Sequence, residues 1–124
     1  MSFPNLQNKT VLVVEDDDMS FLYLNQLFIL TRCNLLHARS GSEALEIFST
    51  RHPDMILMDI QLPDMEGTEV TRKIRLSGSK IPIIAQTAGK SGDERDRALK
   101  SGCTNIIIKP FTMEKLFEVI SIYA

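Results

Sequence analysis

Glu15, Asp16, Asp17 and Asp18 stand in a row directly after the apolar run Val11–Val14. Another acid, Asp59, directly follows the apolar run Met55–Met58. Gln86 and Thr87 follow Ile81–Ala85, and Lys109 and Pro110 follow Ile106–Ile108. If these residues met in space, they could do specific chemistry. Clustered carboxylates repel one another and drive their own pKa values upward. A hard divalent cation resolves that conflict. Magnesium suits it, because it takes oxygen ligands, keeps several waters, and is often held by one or two carboxylates plus a phosphate. A carboxylate in such a place can attack phosphorus as a nucleophile. The transferred group then needs positive charge and hydrogen-bond donors around its oxygens. Lys109 would supply the charge and Thr87 a hydroxyl. Asp17 and Asp18 read more simply, as a solvated turn or a helix cap.

The elements that must position these residues follow a rhythm of short apolar run, loop and amphipathic stretch. The runs are Val11–Val14, Leu35-Leu36 with Ala38, Met55–Met58, Ile81–Ala85 and Ile106–Ile108. Most are continuous rather than alternating, as expected of strands covered on both faces. The second is short and polar at its ends, which suits an edge strand. Between the runs, Ser40 with Glu43 and Ser91 with Glu94 match the capping box. Val70 and Ile74 are spaced i, i+4, and Met113, Leu116, Phe117 and Ile120 form a buried stripe. Thr112 is positioned to cap that last helix. His52-Pro53 and Lys109-Pro110 punctuate a helix end and a strand end.

Strands alternating with helices predict an α/β protein with a five-stranded parallel sheet, doubly wound, with helices on both faces. In such folds the working crevice lies beyond the carboxyl ends of the strands. The residues just after each run are therefore the ones brought together: Glu15, Asp16 and Asp59 on one rim, with Thr87 and Lys109 beside them.

Composition narrows the function classes. A chain of 124 residues fits one domain, residues 1–124, with 1–9 as a short polar lead-in. Hydrophobic residues make up 44% and charged residues 24%, which supports a folded core rather than disorder. A net charge of -2 gives no broad basic surface for direct contact with nucleic acid or membrane lipid. No apolar run approaches the roughly 20 residues of a membrane helix, and residues 1–10 lack the apolar core of a secretion signal. Cys33 and Cys103 form no CxxC pair or metal-type cluster, and a cytoplasmic, reducing compartment suits them.

Four segments together are similar to the receiver domain of bacterial response regulators: VLVVEDD (Val11 to Asp17), PDMILMDIQLPDMEG (Pro53 to Gly67), IPIIAQTA (Ile81 to Ala88) and IIIKPF (Ile106 to Phe111). The resemblance covers roughly Lys9 to Ser121, is chemotaxis-regulator-like, and fits a stand-alone regulator as well as a domain of a hybrid kinase or longer regulator. It implies the flavodoxin-like (βα)5 arrangement and a role for each matching residue. Asp59 would be the phosphoacceptor. Asp16 would bind magnesium directly, Glu15 through water, and Gln61 through its backbone carbonyl. Thr87, Lys109 and the Ala88 amide would hold the phosphoryl oxygens, and Lys109-Pro110 would be cis. The donor would be a histidine on a histidine kinase or histidine phosphotransfer protein. The domain would be a self-phosphorylating and self-dephosphorylating switch rather than a turnover enzyme.

Two features depart from the family pattern. Ile106 stands where receivers usually carry an aromatic ring that turns inward as the threonine moves, which predicts a weaker or different switching response around Thr87 and Ile106. Phe21 to Leu30 is FLYLNQLFIL, nearly apolar all round, although an outer helix needs only one apolar face. The resemblance makes this helix a contact for the histidine-bearing partner, with Phe21, Leu24 and Phe28 as the expected docking residues; a core-only role is the competing reading. His37 and His52 read as surface residues. Competing functions fit less well. A phosphatase of the haloacid dehalogenase type needs a second acid two residues after the nucleophile, where this chain has Gln61. A flavodoxin-like cofactor binder needs a Ser/Thr/Gly-rich phosphate loop where this chain has acids. A receiver-like scaffold that no longer takes phosphate would lack the acceptor, an acid or the lysine, and none is missing.

Overall fold

A computed structural model of the chain describes residues 3–89 and 92–124. The elements run β1 (Thr10–Val14), α1 (Asp18–Ile29), β2 (Asn34–Ala38), α2 (Gly41–Arg51), β3 (Met55–Asp59), α3 (Gly67–Leu76), β4 (Ile83–Thr87), α4 (Gly92–Ser101), β5 (Asn105–Ile108) and α5 (Met113–Ser121). The strands form one parallel sheet in the order β2-β1-β3-β4-β5. The chain steps from β1 outward to β2, then back across to β3. The switch point therefore lies between β1 and β3, where a doubly wound sheet opens its crevice. The weak second run is indeed an edge strand.

The sheet divides two apolar layers, as period-2 strands require. Val11, Val13, Leu57, Ile84 and Ile107 face α1 and α5. Leu12, Val14, Ile56, Met58, Ile83 and Ala85 face α2, α3 and α4. Both layers are dry, which explains why most of the strands read as continuous apolar runs. Strand β4 begins at Ile83, two residues later than its apolar run suggested. Pro82 has no amide to give, but its carbonyl still accepts from Ile56 N at 2.9 Å.

Caps fix the helix starts. Ser40 accepts from the Glu43 amide at 3.1 Å and Thr112 from the Lys115 amide at 3.1 Å. Asp17 caps α1 by accepting from the Ser20 amide at 2.8 Å, which holds its carboxyl below the usual range. Ser91, the other predicted cap, lies outside the described residues. The lead-in is not wholly polar in its packing: Leu6 is buried in the layer under α1 and α5, and Phe3 meets Phe117 edge-on.

The expected docking face of α1 needs correction. Phe21, Leu24 and Phe28 are spaced i, i+3, i+7, so they share one helical face, and that face lies against the sheet. Leu24 and Phe28 are both 1% exposed. Phe21 is half-buried and stacks on His37, ring centroids 3.6 Å apart. The outward members are Met19, Leu22, Tyr23, Ile29 and Leu30. His37 is likewise not a surface residue. It is half-buried, and its Nε2 lies 2.7 Å from the Glu15 carbonyl.

Candidate functional site

The carboxyl ends of β1, β3, β4 and β5 meet at one end of the sheet. Glu15 continues β1, with its amide bonded to the Ala38 carbonyl at 2.9 Å. Its side chain is 1% exposed, Asp59 is 7% exposed, and Asp16 is open to solvent. One carboxylate oxygen from each of Glu15, Asp16 and Asp59 lies within 4.8 Å of the others. Lys109 reaches across from β5, its Nζ 3.2 Å from Glu15 Oε1 and 3.1 Å from Asp59 Oδ2. The Lys109 amide donates to the Thr87 carbonyl at 2.8 Å, which ties the lysine to the end of β4. The Lys109-Pro110 bond is cis.

The loop after β3 shapes the acceptor. The Gln61 amide donates to Asp59 Oδ1 at 3.1 Å, so both carboxylate oxygens are held, one by an amide and one by an ammonium. The Gly67 amide donates to the Ile60 carbonyl at 2.7 Å and brings the start of α3 against the acceptor strand. A methyl group at Gly67 would collide with the Asp59 carbonyl oxygen, so glycine alone permits this approach.

The electrostatics follow from crowding. Three carboxylates face one ammonium. Burial, with the Asp59 charge behind it, pushes the Glu15 carboxyl up to about 7, although Lys109 pulls the other way. Burial would lower the Lys109 ammonium, but the Asp59 and Glu15 charges outweigh it and raise its pKa. A cluster of hard oxygen donors that still carries excess negative charge beside a lysine fits a magnesium ion.

A cavity of about 350 Å³ opens over these groups, lined by Asp16, Asp59, Gln61, Gln86, Ala88, Glu94 and Lys109 among others. Thr87 is 3% exposed and sits between two lining residues without lining the cavity itself. Ile106 lies away from it, half-buried against the layer that contains Ala98 and Cys103. Residue-by-residue reading passed over three groups here. Gly67 stood out only as part of a familiar segment. Gln86 is the polar residue directly after the run Ile81–Ala85, given no role there, and its buried Nε2 has no hydrogen-bond partner among the described residues. Glu94 was legible as a capping acid, yet its Oε1 accepts from the Ala88 amide at 3.0 Å.

Known proteins share this arrangement. Residues 11–121 match the model of the response regulator receiver domain. The polar-differentiation response regulator DivK of Brucella ovis is 36% identical over 117 residues, covering 93% of this chain and 95% of that protein. Among solved structures, the receiver domain of a sensor histidine kinase from Pseudomonas aeruginosa PAO1 carries a magnesium ion in its active-site cleft. It aligns with a TM-score of 0.86 and 27% identity over 93% of this chain and 96% of its own. A chain from the co-crystal structure of the Saccharomyces cerevisiae histidine phosphotransfer protein Ypd1 with the receiver domain of Ssk1 aligns with a TM-score of 0.87. It is 30% identical, over 99% of this chain and 91% of its own. A parallel sheet of this order, an acidic cluster at its switch point, a family match over nearly the whole chain and relatives of this closeness have one common meaning: the chain belongs to the response regulator receiver domain family, the phosphorylation-responsive module of two-component and phosphorelay signalling.

Proposed function

We propose that Asp59 accepts the phosphoryl group. The observation that carries this reading is the setting of its carboxylate, at the end of β3, between the Gln61 amide and the Lys109 ammonium and beside two further acids. An Asp59 oxygen attacks the phosphorus of a phosphohistidine, the O–P bond forms, and the N–P bond to the imidazole breaks. Lys109 turns from its carboxylate partners to the transferred oxygens, Thr87 brings its hydroxyl, and Ala88 offers its amide. Glu15, Asp16, Asp59 and Gln61 are the residues that would hold magnesium. The ion, when bound, neutralises phosphoryl charge as it develops. The domain acts as a switch that loads and clears its own phosphoryl group. Two free cysteines are consistent with a cytoplasmic setting.

The histidine-bearing partner must reach this pocket, so its carrier surface must rest on the rim. A groove of about 720 Å³ shares Gln86, Ala88 and Lys109 with the pocket and continues over Met19, Tyr23, Pro110 and Phe111. This apolar ground between α1 and the β5–α5 loop is the proposed seat of the partner, and the similar receiver chain crystallised with the histidine phosphotransfer protein Ypd1 supports a partner of that kind.

Intact mass after incubation with acetyl phosphate tests the chemistry. One added phosphoryl group that requires magnesium and disappears in Asp59→Asn is expected. An adduct that persists in Asp59→Asn would refute Asp59 as acceptor. No adduct, with a beryllofluoride-insensitive NMR spectrum, would favour a phosphorylation-independent scaffold.

A further inference from the structure

The Ala88 amide is already in use. It donates to Glu94 Oε1 at 3.0 Å, and Glu94, half-buried in the first turn of α4, lines the same pocket as Asp59 and Lys109. One N–H serves one strong acceptor. Here the acceptor is an anion standing where an arriving phosphoryl oxygen would need the donor. Charge adds to the conflict, because the pocket already holds Glu15, Asp16 and Asp59. One turn further on, Arg97 donates to both oxygens of Glu66 at 3.0 Å, fastening α4 to the start of α3. In the phosphoryl-free protein, α4 is thus tied on one side to the acceptor's own loop and on the other to the amide of the phosphoryl cradle.

We propose that Glu94 is a displaceable placeholder: it occupies the Ala88 amide in the unphosphorylated protein, slows phosphoryl uptake, and must leave when the phosphoryl group arrives. This rests on the receiver chemistry proposed above. Its consequence is mechanical as well as kinetic. Vacating Ala88 unties the first turn of α4, so uptake is read out at that helix through a route that needs no aromatic ring at Ile106. Glu94 acts through the amide, and is a positioning residue.

The test uses the intact chain with magnesium and acetyl phosphate. Glu94→Ala frees the amide, and Glu94→Gln keeps a neutral acceptor of the same length. Both should take up phosphoryl groups faster than wild type, Glu94→Ala by about three- to tenfold, the range a typical net hydrogen bond spans. Asp93→Ala removes an exposed acid from the same turn and should leave the rate close to wild type. The Ala88 amide resonance should differ between wild type and Glu94→Ala in the free state and converge when beryllofluoride is bound, since Glu94 has then left in both. Unchanged or slower uptake in both Glu94 variants would overturn the proposal. So would an equal acceleration by Asp93→Ala, or Ala88 resonances that remain apart in the bound state. Wild type that takes up no phosphoryl group would overturn the receiver chemistry, and this proposal with it; a wild type that loads normally beside unresponsive Glu94 variants would sink the placeholder alone.

Discussion

Glu15 sits so deep beside Asp59 that its proton is held up to about pH 7, against an ordinary value of 4.5. The folded state therefore binds this proton more tightly than the unfolded chain does. Between those two pH values folding takes up a proton, so this group's contribution to stability declines as pH rises, by on the order of 3 kcal/mol across the window. Urea unfolding in EDTA at pH 5 and pH 7.5 should show that decline, and Glu15→Gln, which stays neutral, should flatten it. Equal slopes in the two proteins would refute the assignment. Lys109 works at the opposite end. Its raised pKa gives stability that is full below 10.5 and is lost only as pH climbs beyond it. The identities of Glu15, Asp16, Asp59, Thr87 and Lys109 were legible because each follows an apolar run, and strand ends are where a doubly wound sheet does chemistry. Glu94 was not legible in this role. It lies seven residues past the end of β4 and matches a capping pattern, and only the folded chain brings its carboxylate to Ala88. Gly67 escaped for a related reason: the absence of a methyl group matters only once α3 lies against the Asp59 carbonyl.

Helix α1 illustrates how far periodicity reaches. Its sequence is apolar on nearly every side, so the pattern could not say which face the sheet would claim. The structure gives Leu24 and Phe28 to the core and leaves Met19, Leu22 and Tyr23 outside. Tyr23 is pinned at the groove by its hydroxyl, which donates to the Phe111 carbonyl at 3.1 Å. Tyr23→Glu should lower transfer from a phosphorylated histidine phosphotransfer protein about tenfold or more while acetyl phosphate labels it at the wild-type rate, because loss of a buried aromatic anchor costs an interface roughly 2 kcal/mol. Parallel losses with both donors would place the defect in the site instead. Strand β5 poses the complementary question. Ile106 packs against the layer that contains Ala98 as an ordinary apolar residue. Beryllofluoride should therefore move backbone resonances around Ile106 less in this protein than in Ile106→Tyr. Matching shifts in the two would remove Ile106 from the account of switching.

At the scale of the molecule, the doubly wound layout and the edge place of the second strand were accessible from alternating elements, right-handed crossovers and the weak, polar-ended second run. Register and exact strand limits were not, as β4 shows: a proline and the pairing partner decide where a ladder starts. The architecture also links metal to folding. Glu15 and Asp59 are 44 residues apart in the chain and meet only in the native sheet. A divalent ion thus binds the folded form and not the unfolded chain, and should raise stability by about 2.7 kcal/mol at a hundredfold excess over its Kd. Calorimetric melting with magnesium against EDTA should show the rise in wild type and little of it in Asp16→Asn. An equal rise in both would mean that the ion binds elsewhere.

The bonds from the Lys109 amide to the Thr87 carbonyl and from the Ile60 amide to the Gln86 carbonyl join the ends of β3, β4 and β5, that from the Glu15 amide to the Ala38 carbonyl joins β1 to β2, and Lys109 closes the rim by reaching both Glu15 and Asp59. No contiguous stretch of the chain contains the rim. A molecule that has let go of β1, β3, β4 or β5 has no acceptor setting left, however much helix or sheet it retains. The fraction of chains labelled by acetyl phosphate in a brief pulse is therefore a census of intact sheets. It could count natively assembled molecules in a crude extract, or during refolding, where spectroscopy would average them with their half-built neighbours.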